Sequence, residues 1–125
     1  KIVIAGSGED INKYTKRIKN NINFKIKNTY IKYKELNSLF QKCSVVVLPY
    51  IGASQSGVIP LAYSYGKPII TTNVGSLPEY IINGKTGILI PPRDEESLAR
   101  AIILLLNNMV AQSSLYRHRD CPRTC

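Results

Sequence analysis

The residues best suited to bind a phosphate group lie in one short loop, Ser54-Gln55-Ser56-Gly57-Val58. The loop follows an apolar run, Ser44 to Leu48, which predicts a buried strand, and it opens an apolar segment that ends at Gly66. A strand, a loop and a helix in this order expose the first N–H groups of the helix at the edge of a parallel sheet, where they attract anions. The alternative is an ordinary strand-to-helix turn that requires small residues.

Apolar runs alternate with amphipathic stretches along the whole chain. This alternation predicts an α/β fold with a Rossmann-like, doubly wound parallel sheet that is covered on both faces. Helices are expected near residues 9–20 and 35–43, after the loop, and after the N-cap Asp94, where the final helix has a buried stripe at Leu98, Ala101, Ile102 and Leu105. Strands are expected near residues 2–5, 24–30, 44–48, 68–72 and 86–90.

Size and charge limit the classes of protein to which the chain can belong. Its 125 residues contain no signal peptide and no apolar run that would span a membrane, so we expect one soluble, cytoplasmic domain. Residues 1–44 carry ten Lys and Arg against three acids, which gives this part of the chain +7 of the net charge of +9. The simplest interpretation is a solvated face, and the second is peripheral contact with an anionic inner membrane surface. No nucleic-acid partner is expected, because the basic residues form no helix-long stripe.

The three cysteines, Cys43, Cys121 and Cys125, are an odd number without metal-ligand spacing. They predict a reducing compartment and no disulfide framework. We also expect no metal and no other cofactor. Cys43 lies between a predicted helix and a predicted buried strand, where a free thiol behaves as a small core residue.

The last residues differ in composition from the rest of the chain. Residues 109–125 contain no Lys, three Arg, two of the cysteines and His118, the only histidine. They show no apolar period, so we expect a disordered tail outside a domain of residues 1–108. Out-of-frame translation, an alternative end and an expression-vector remnant are all open origins, and no catalytic role is assigned to His118.

Further motifs follow one another in a characteristic order. They are Pro49 at the end of a strand, Gly66-Lys67-Pro68, Asn73-Val74-Gly75-Ser76-Leu77-Pro78-Glu79-Tyr80 and Asn83-Gly84-Lys85-Thr86-Gly87. Over roughly residues 1–108, this order resembles the C-terminal, donor-binding domain of the GT-B retaining glycosyltransferases of group 1. The resemblance implies a nucleotide-sugar donor and an N-terminal acceptor domain. Because the chain opens directly on a strand, we expect a truncated fragment that lacks that domain.

The resemblance also implies roles for individual residues. The loop amides of residues 54–58 would hold the donor diphosphate, Glu79 and Gly75 would contact the donor, and Tyr30 and Tyr33 would lie near the nucleobase. Two alternatives stay open: Glu79 would instead cap a short helical turn, and each tyrosine would be an ordinary core or surface aromatic residue.

Two glutamates of the family pattern are missing. Their positions, one near the transferred sugar and one at the ribose, fall on Ala53 and Leu61. Neither side chain can accept a hydrogen bond, although a shift of one residue would bring Gln55 near the first position. No catalytic residue is therefore assigned, and we expect this fragment alone to be inactive.

Two functions remain open at this point. The first is hexosyl transfer to a glycan or glycolipid during polysaccharide biosynthesis, and the second is a non-catalytic GT-B-like binding module. A third possibility is a different phosphate-binding α/β domain, such as an epimerase-like or receiver-like one. It is disfavoured because the Gly6-Ser7-Gly8 turn lacks the third glycine of a dinucleotide fingerprint, Ile11 standing in its place.

Overall fold

The computed structural model describes residues 1–8, 11–18 and 22–111, and within them strands and helices alternate as predicted. The chain forms two compact units, residues 1–39 and a second unit that begins at Phe40. The elements in chain order are β1 Ile2–Gly6, α1 Asn12–Ile18, β2 Phe24–Asn28, α2 Tyr33–Lys42, β3 Val46–Leu48, α3 Val58–Ser64, β4 Ile69–Thr72, a 3-10 helix Leu77–Tyr80, β5 Gly87–Ile90 and α4 Glu95–Ala111.

The first unit is built on two strands, β1 and β2, which pair in parallel along their whole length. The Lys27 ammonium lies 3.4 Å from the Glu35 carboxylate, which links β2 to the first turn of α2. The sequence predicts that β1 is covered on both faces, but Ile2, Val3 and Ile4 are between 40% and 45% exposed. A sheet of only two strands offers little apolar surface to cover both faces of a strand.

The second unit contains a parallel sheet in the order β3-β4-β5. All four residues of the central strand β4 are buried. A core cluster joins β4, β5 and α4 and consists of Ile70, Ile90, Ala101 and Leu105. Leu98 and Ile102 pack against this cluster and are partly buried, which confirms the apolar stripe predicted for the final helix.

The parallel α/β fold is thereby confirmed, and the strands lie close to their predicted positions. The hydrogen bonds among the described residues nevertheless divide the strands between two sheets, whereas the sequence pattern suggested one sheet of five. Apolar periodicity identifies the segments that form strands. It says little about which strand edges pair, because pairing depends on contacts between segments that are distant in sequence.

The end of α3 explains the Gly66-Lys67-Pro68 motif. Gly66 has a φ of +66°, and the N–H groups of Gly66 and Lys67 donate to the carbonyls of Tyr63 and Ala62 at 2.9 and 3.0 Å. These two bonds form a Schellman motif, which favours glycine at the left-handed position. Pro68 then prevents the helix from continuing, and the chain enters β4.

Asp94 caps α4, as predicted from the sequence. Its two carboxylate oxygens accept hydrogen bonds from the N–H and the hydroxyl of Ser97, at 3.0 and 2.7 Å. Both bonds lower the pKa of the Asp94 carboxyl, and the bond from the Ser97 N–H has the larger effect. The helix continues to Ala111, past the domain boundary predicted at residue 108. Residues 112–125 of the predicted tail lie outside the described residues, so the tail and its boundary stay a prediction.

Candidate functional site

The loop identified from the sequence lies at the carboxyl edge of the three-stranded sheet. Residues 50–57, hereafter the edge loop, follow β3 and lead into α3, and a second turn, residues 73–76, follows β4. Because β3 and β4 are parallel neighbours, their carboxyl ends meet at one edge. Open α/β sheets bind ligands at this edge.

Two hydroxyl groups from the β4 side hold the edge loop by its carbonyl groups. The Thr72 hydroxyl donates to the Tyr50 carbonyl at 2.6 Å, and the Ser76 hydroxyl donates to the Ser54 carbonyl. Thr72 and Ser76, hereafter the hydroxyl clamp, therefore tie both the start and the middle of the edge loop to β4 and the turn that follows it.

Gly75 brings the second turn into direct contact with the edge loop. Its φ is +54°, in the left-handed region that glycine adopts at no steric cost. A Cβ at this position would overlap the Ala53 carbonyl oxygen and would come within 3.3 Å of the Ser54 Cα. The structure thus brings Gly75 together with the loop that was predicted to hold the diphosphate.

The Tyr50 N–H donates to the Leu48 carbonyl at 2.9 Å, but the N–H groups of the rest of the edge loop have no partner within the described residues. Within the described residues, no group accepts a hydrogen bond from the backbone N–H of any residue from 51 to 57. The side chains of Ser54 and Gln55 are exposed and likewise have no partner in that part of the chain. These donors are available to water or to an anion.

The start of α3 supplies fewer donors than the sequence suggested. The Val58 N–H donates to the Ser56 hydroxyl at 3.3 Å, and that hydroxyl lies 3.0 Å from the Tyr50 hydroxyl. The Val58 amide is therefore already engaged. Gly57 has an ordinary helical φ of −71°, and a Cβ there would meet no atom within 4 Å.

Glu79 lies in the 3-10 helix that follows the second turn. Its N–H donates to the Ser76 carbonyl at 3.0 Å, and its side chain is exposed. The carboxylate has no hydrogen-bond or ion-pair partner among the described residues, so it does not cap the helical turn through a hydrogen bond. Contact between Glu79 and a donor stays a prediction.

Tyr30 and Tyr33 belong to the first unit, between β2 and the first turn of α2. Their side chains are 80% and 77% exposed, which rules out the interpretation that either one is a core aromatic residue. Their role near a nucleobase stays a prediction.

The positions of the missing glutamates lie at or near the edge loop. Ala53 is part of the loop, Leu61 lies in α3, and both are partly buried. Neither position presents a side-chain acceptor.

The hydroxyl clamp and the neighbouring Thr71 were not predicted from the sequence. The Thr71 hydroxyl donates to the Leu48 carbonyl at 3.1 Å, within the sheet rather than in the loop. Two adjacent threonines at the end of a buried strand were the available signal, because a buried hydroxyl almost always has a hydrogen-bond partner. Ser76 carried no comparable signal.

A buried network behind the 3-10 helix supports the chain beyond Glu79. The Tyr63 hydroxyl is hydrogen-bonded to the Tyr80 carbonyl at 2.8 Å and to the Thr86 hydroxyl at 2.9 Å. The Ile82 N–H donates to the same Thr86 oxygen at 2.9 Å. Burial raises the pKa of the Tyr63 hydroxyl, and the bond to Thr86 opposes this rise. The network fixes the end of the 3-10 helix relative to α3.

Residues 1–8, 11–18 and 22–111 contain no group of three or more His, Cys, Asp and Glu side chains that could hold a metal ion. The expectation of a site without a cofactor stays a prediction. No helix in the same residues is long and apolar enough to cross a membrane.

Comparison with known proteins assigns this fold to a family. Residues 1–108 match the family described as Glycosyl transferases group 1. The glycogen synthase of Mycobacterium tuberculosis is 35% identical over 83 residues, which make up 66% of this chain and 20% of the relative. The chain therefore spans about a fifth of that relative's length.

Two solved structures share the fold. The C-terminal domain of the group 1 family protein LpcC from Francisella tularensis has a TM-score of 0.70 at 17% identity, over 94% of this chain and 63% of that one. Anabaena HepE, in complex with UDP, has a TM-score of 0.67 at 20% identity, over 91% of this chain and 32% of that one. Because the family match extends over residues 1–108, the chain belongs to the group 1 glycosyl transferases.

Proposed function

We propose that this chain is the donor-binding part of a glycosyltransferase that moves a hexosyl group from a nucleotide sugar to a glycan or glycolipid acceptor. The observation that carries the proposal is the edge loop, whose N–H groups at residues 51–57 have no partner among the described residues. The loop lies at the carboxyl edge of a parallel sheet in a family member. The UDP complex of Anabaena HepE, which shares the fold, supports a nucleotide as the ligand.

The chemistry of the edge loop fits the diphosphate of such a donor. Residues 49–66 contain no charged side chain, so backbone N–H groups and the hydroxyls of Ser54 and Ser56 would meet the negative charge. Gln55 and Gly57 contribute amides to the same set. Since α3 has only seven residues, we assign the interaction to the loop amides rather than to the positive end of the helix.

Binding at the loop would also favour bond cleavage. As the bond between the sugar C1 and the phosphate oxygen breaks, its electron pair stays on that oxygen and the diphosphate gains negative charge. Donors that are already oriented stabilise this charge more in the transition state than in the bound donor. The roles of Gly75 and Glu79 as donor contacts belong to the same proposal.

The absence of carboxylates at Ala53 and Leu61 limits what this chain does by itself. We expect weak donor binding and no sugar transfer, and we expect a separate N-terminal domain to bind the acceptor. A non-catalytic binding module would bind the donor as weakly. The two functions differ in a protein that also carries the acceptor domain, because only a glycosyltransferase then transfers sugar.

Calorimetric titration of the 125-residue chain with UDP tests the proposal. We expect a dissociation constant on the order of 1 mM, which corresponds to about 4 kcal/mol. Inorganic phosphate is the matched control and should bind more weakly, because it fills only part of a diphosphate site. No binding of UDP at about ten times that concentration would contradict the proposal.

The basic residues support a second, peripheral contact with an anionic membrane surface. The exposed rings of Tyr30 and Tyr33 alternate in sequence with exposed Lys32 and Lys34, and such aromatic and cationic pairs suit the headgroup region. Phosphatidylcholine vesicles with phosphatidylserine should bind the chain, and pure phosphatidylcholine vesicles should not. Equal binding to both would contradict this contact. If Tyr30 and Tyr33 instead serve the nucleobase, replacing them with Ser would weaken UDP binding alone.

A further inference from the structure

The hydroxyl clamp engages only one side of the edge loop. Thr72 donates to the carbonyl of Tyr50 and Ser76 donates to the carbonyl of Ser54, so both bonds occupy acceptors of the loop. Neither hydroxyl accepts a bond from a loop N–H within the described residues. The clamp therefore fixes the backbone without consuming the donors that an anion would need.

The edge loop has few other interactions that would hold it in place. Its residues form no backbone hydrogen bond with one another among the described residues, and most of them are exposed. The bonds of the Ser56 hydroxyl and the close approach of Gly75 to Ala53 are the other contacts described above. Loops with so few bonds are usually mobile, and a mobile loop must be ordered before several of its amides can bind one ligand.

We propose that Thr72 and Ser76 are positioning residues, which hold the edge loop in the conformation whose N–H groups bind the donor diphosphate. They act through the Tyr50 and Ser54 carbonyls and not by touching the donor. This inference rests on the proposed function, because it assigns the diphosphate to the loop. An ordered loop binds more tightly, since the cost of ordering is met before the ligand arrives.

Matched variants separate the clamp from general stability. Thr72→Val and Ser76→Ala remove the two clamp hydroxyls. Thr71→Val and Ser64→Ala make the same chemical changes where the hydroxyl bonds to the sheet, at the Leu48 carbonyl, or to α3, at the Leu61 carbonyl. Thr72→Ser and Ser76→Thr keep a hydroxyl at each clamp position and test for rescue.

The experiment measures two properties of each variant, namely the dissociation constant for UDP and the backbone order parameters of residues 51–57 by 15N relaxation. Each clamp deletion should weaken UDP binding by about 5-fold, the value of one ordinary hydrogen bond, and should lower the order parameters of the loop. The control variants and the hydroxyl-retaining variants should match the wild type in both properties. Thermal midpoints of all variants establish that each one is folded.

The outcomes distinguish this inference from the proposed function. If the wild type binds UDP and the clamp deletions bind it equally well with an unchanged loop, the positioning role is wrong and the proposed function stands. If the wild type does not bind UDP at all, the proposed function fails and the inference, which rests on it, falls too. Relaxation data then still show whether the clamp orders the loop. If the control variants lose as much UDP affinity as the clamp deletions, the two clamp hydroxyls contribute only to general stability and do not position the loop.

Discussion

The edge loop and the lysine-rich segment, residues 13–34, are both suited to anions, but for different physical reasons. The segment carries eight Lys and Arg and no acid, whereas residues 49–66 carry no charge of either sign. Attraction to the segment is long-ranged, non-directional and reduced by salt. The edge loop offers directed N–H donors, which select the geometry of a ligand. Under the proposed function, the most basic part of this chain is therefore not its phosphate site.

The structure also distinguishes the two regions by how their groups are held. In the edge loop, the hydroxyl clamp and Gly75 fix the backbone from the neighbouring turn. In the lysine-rich segment, Lys27 pairs with Glu35 at 3.4 Å, and both side chains remain partly exposed. Ion pairs at such surfaces contribute little to stability. We therefore expect the edge loop to bind particular anionic ligands specifically, and the lysine-rich segment to attract anions of any kind.

Replacement of Gly75 by Val should have the largest effect, because the new side chain would displace the edge loop from its position against the second turn. A side chain in the left-handed region costs about 1–2 kcal/mol by itself, and overlap with the Ala53 carbonyl adds to this cost. Gly84→Val is the matched control, since Gly84 has a φ of +83° but no atom within 4 Å of a Cβ. Urea unfolding and UDP titration should show a larger loss of stability, and a loss of binding, only at Gly75. Equal losses at both positions would contradict the described contact.

Gly57→Val should abolish UDP binding with little change in stability. The position has a helical φ and open space, so the fold accepts a side chain at a cost of about 1 kcal/mol or less. A branched side chain would nevertheless crowd a diphosphate that approaches the loop amides. Calorimetry should show a graded series from Gly through Ala to Val. Unchanged binding by the Val variant would mean that the ligand does not approach the loop at this point.

Neutralising part of the lysine-rich segment should affect membrane binding but not UDP binding. Each Lys near an anionic surface contributes about 1 kcal/mol, so Lys32→Gln and Lys34→Gln together should weaken vesicle binding about 30-fold. UDP binding should stay the same, since it depends on uncharged donors in the loop. Co-sedimentation with anionic vesicles measures the first effect, and calorimetry measures the second. A drop in UDP affinity would assign the nucleotide to the basic surface.

The smallest effect is expected at Asp94, which lies outside both regions. Its pKa is lowered in the folded protein, mainly by the Ser97 N–H, so its contribution to stability is complete above the ordinary pKa of 3.8. The contribution is lost as the pH falls through the lowered pKa of the folded state. Urea unfolding should therefore show Asp94→Ala to be less stable than the wild type at neutral pH, and the difference should shrink in acid. A difference that persists in acid would assign the effect to something other than the charged cap.

Several features of the fold could be predicted because they depend on neighbouring residues. The apolar run Ile69–Thr72 predicts a buried strand, and Asp94 before two glutamates predicts a helix start. The exposure of Ile2 to Ile4 could not be predicted in this way. An apolar run shows that a strand can be buried, but what covers it depends on elements elsewhere in the chain.

The candidate site was predictable only in part. The position of the edge loop followed from Pro49 and the small residues after it, and Gly75 was identified through the resemblance. The clamp was not predictable, because Thr72 and Ser76 are each 22 residues away from the carbonyls to which they donate. The engagement of the Val58 amide depends on the rotamer of Ser56, which residue types do not reveal.

Titration of the isotope-labelled chain with UDP, followed by the amide shifts of every residue, tests the central claim most directly. We expect saturable shifts at residues 54–57, which persist when the ionic strength is raised, and only small, salt-sensitive shifts at residues 13–34. The opposite pattern, with residues 54–57 unmoved while the lysine-rich segment responds, would contradict the proposed diphosphate site. It would show that the chain attracts nucleotides through its basic surface and not through the edge loop.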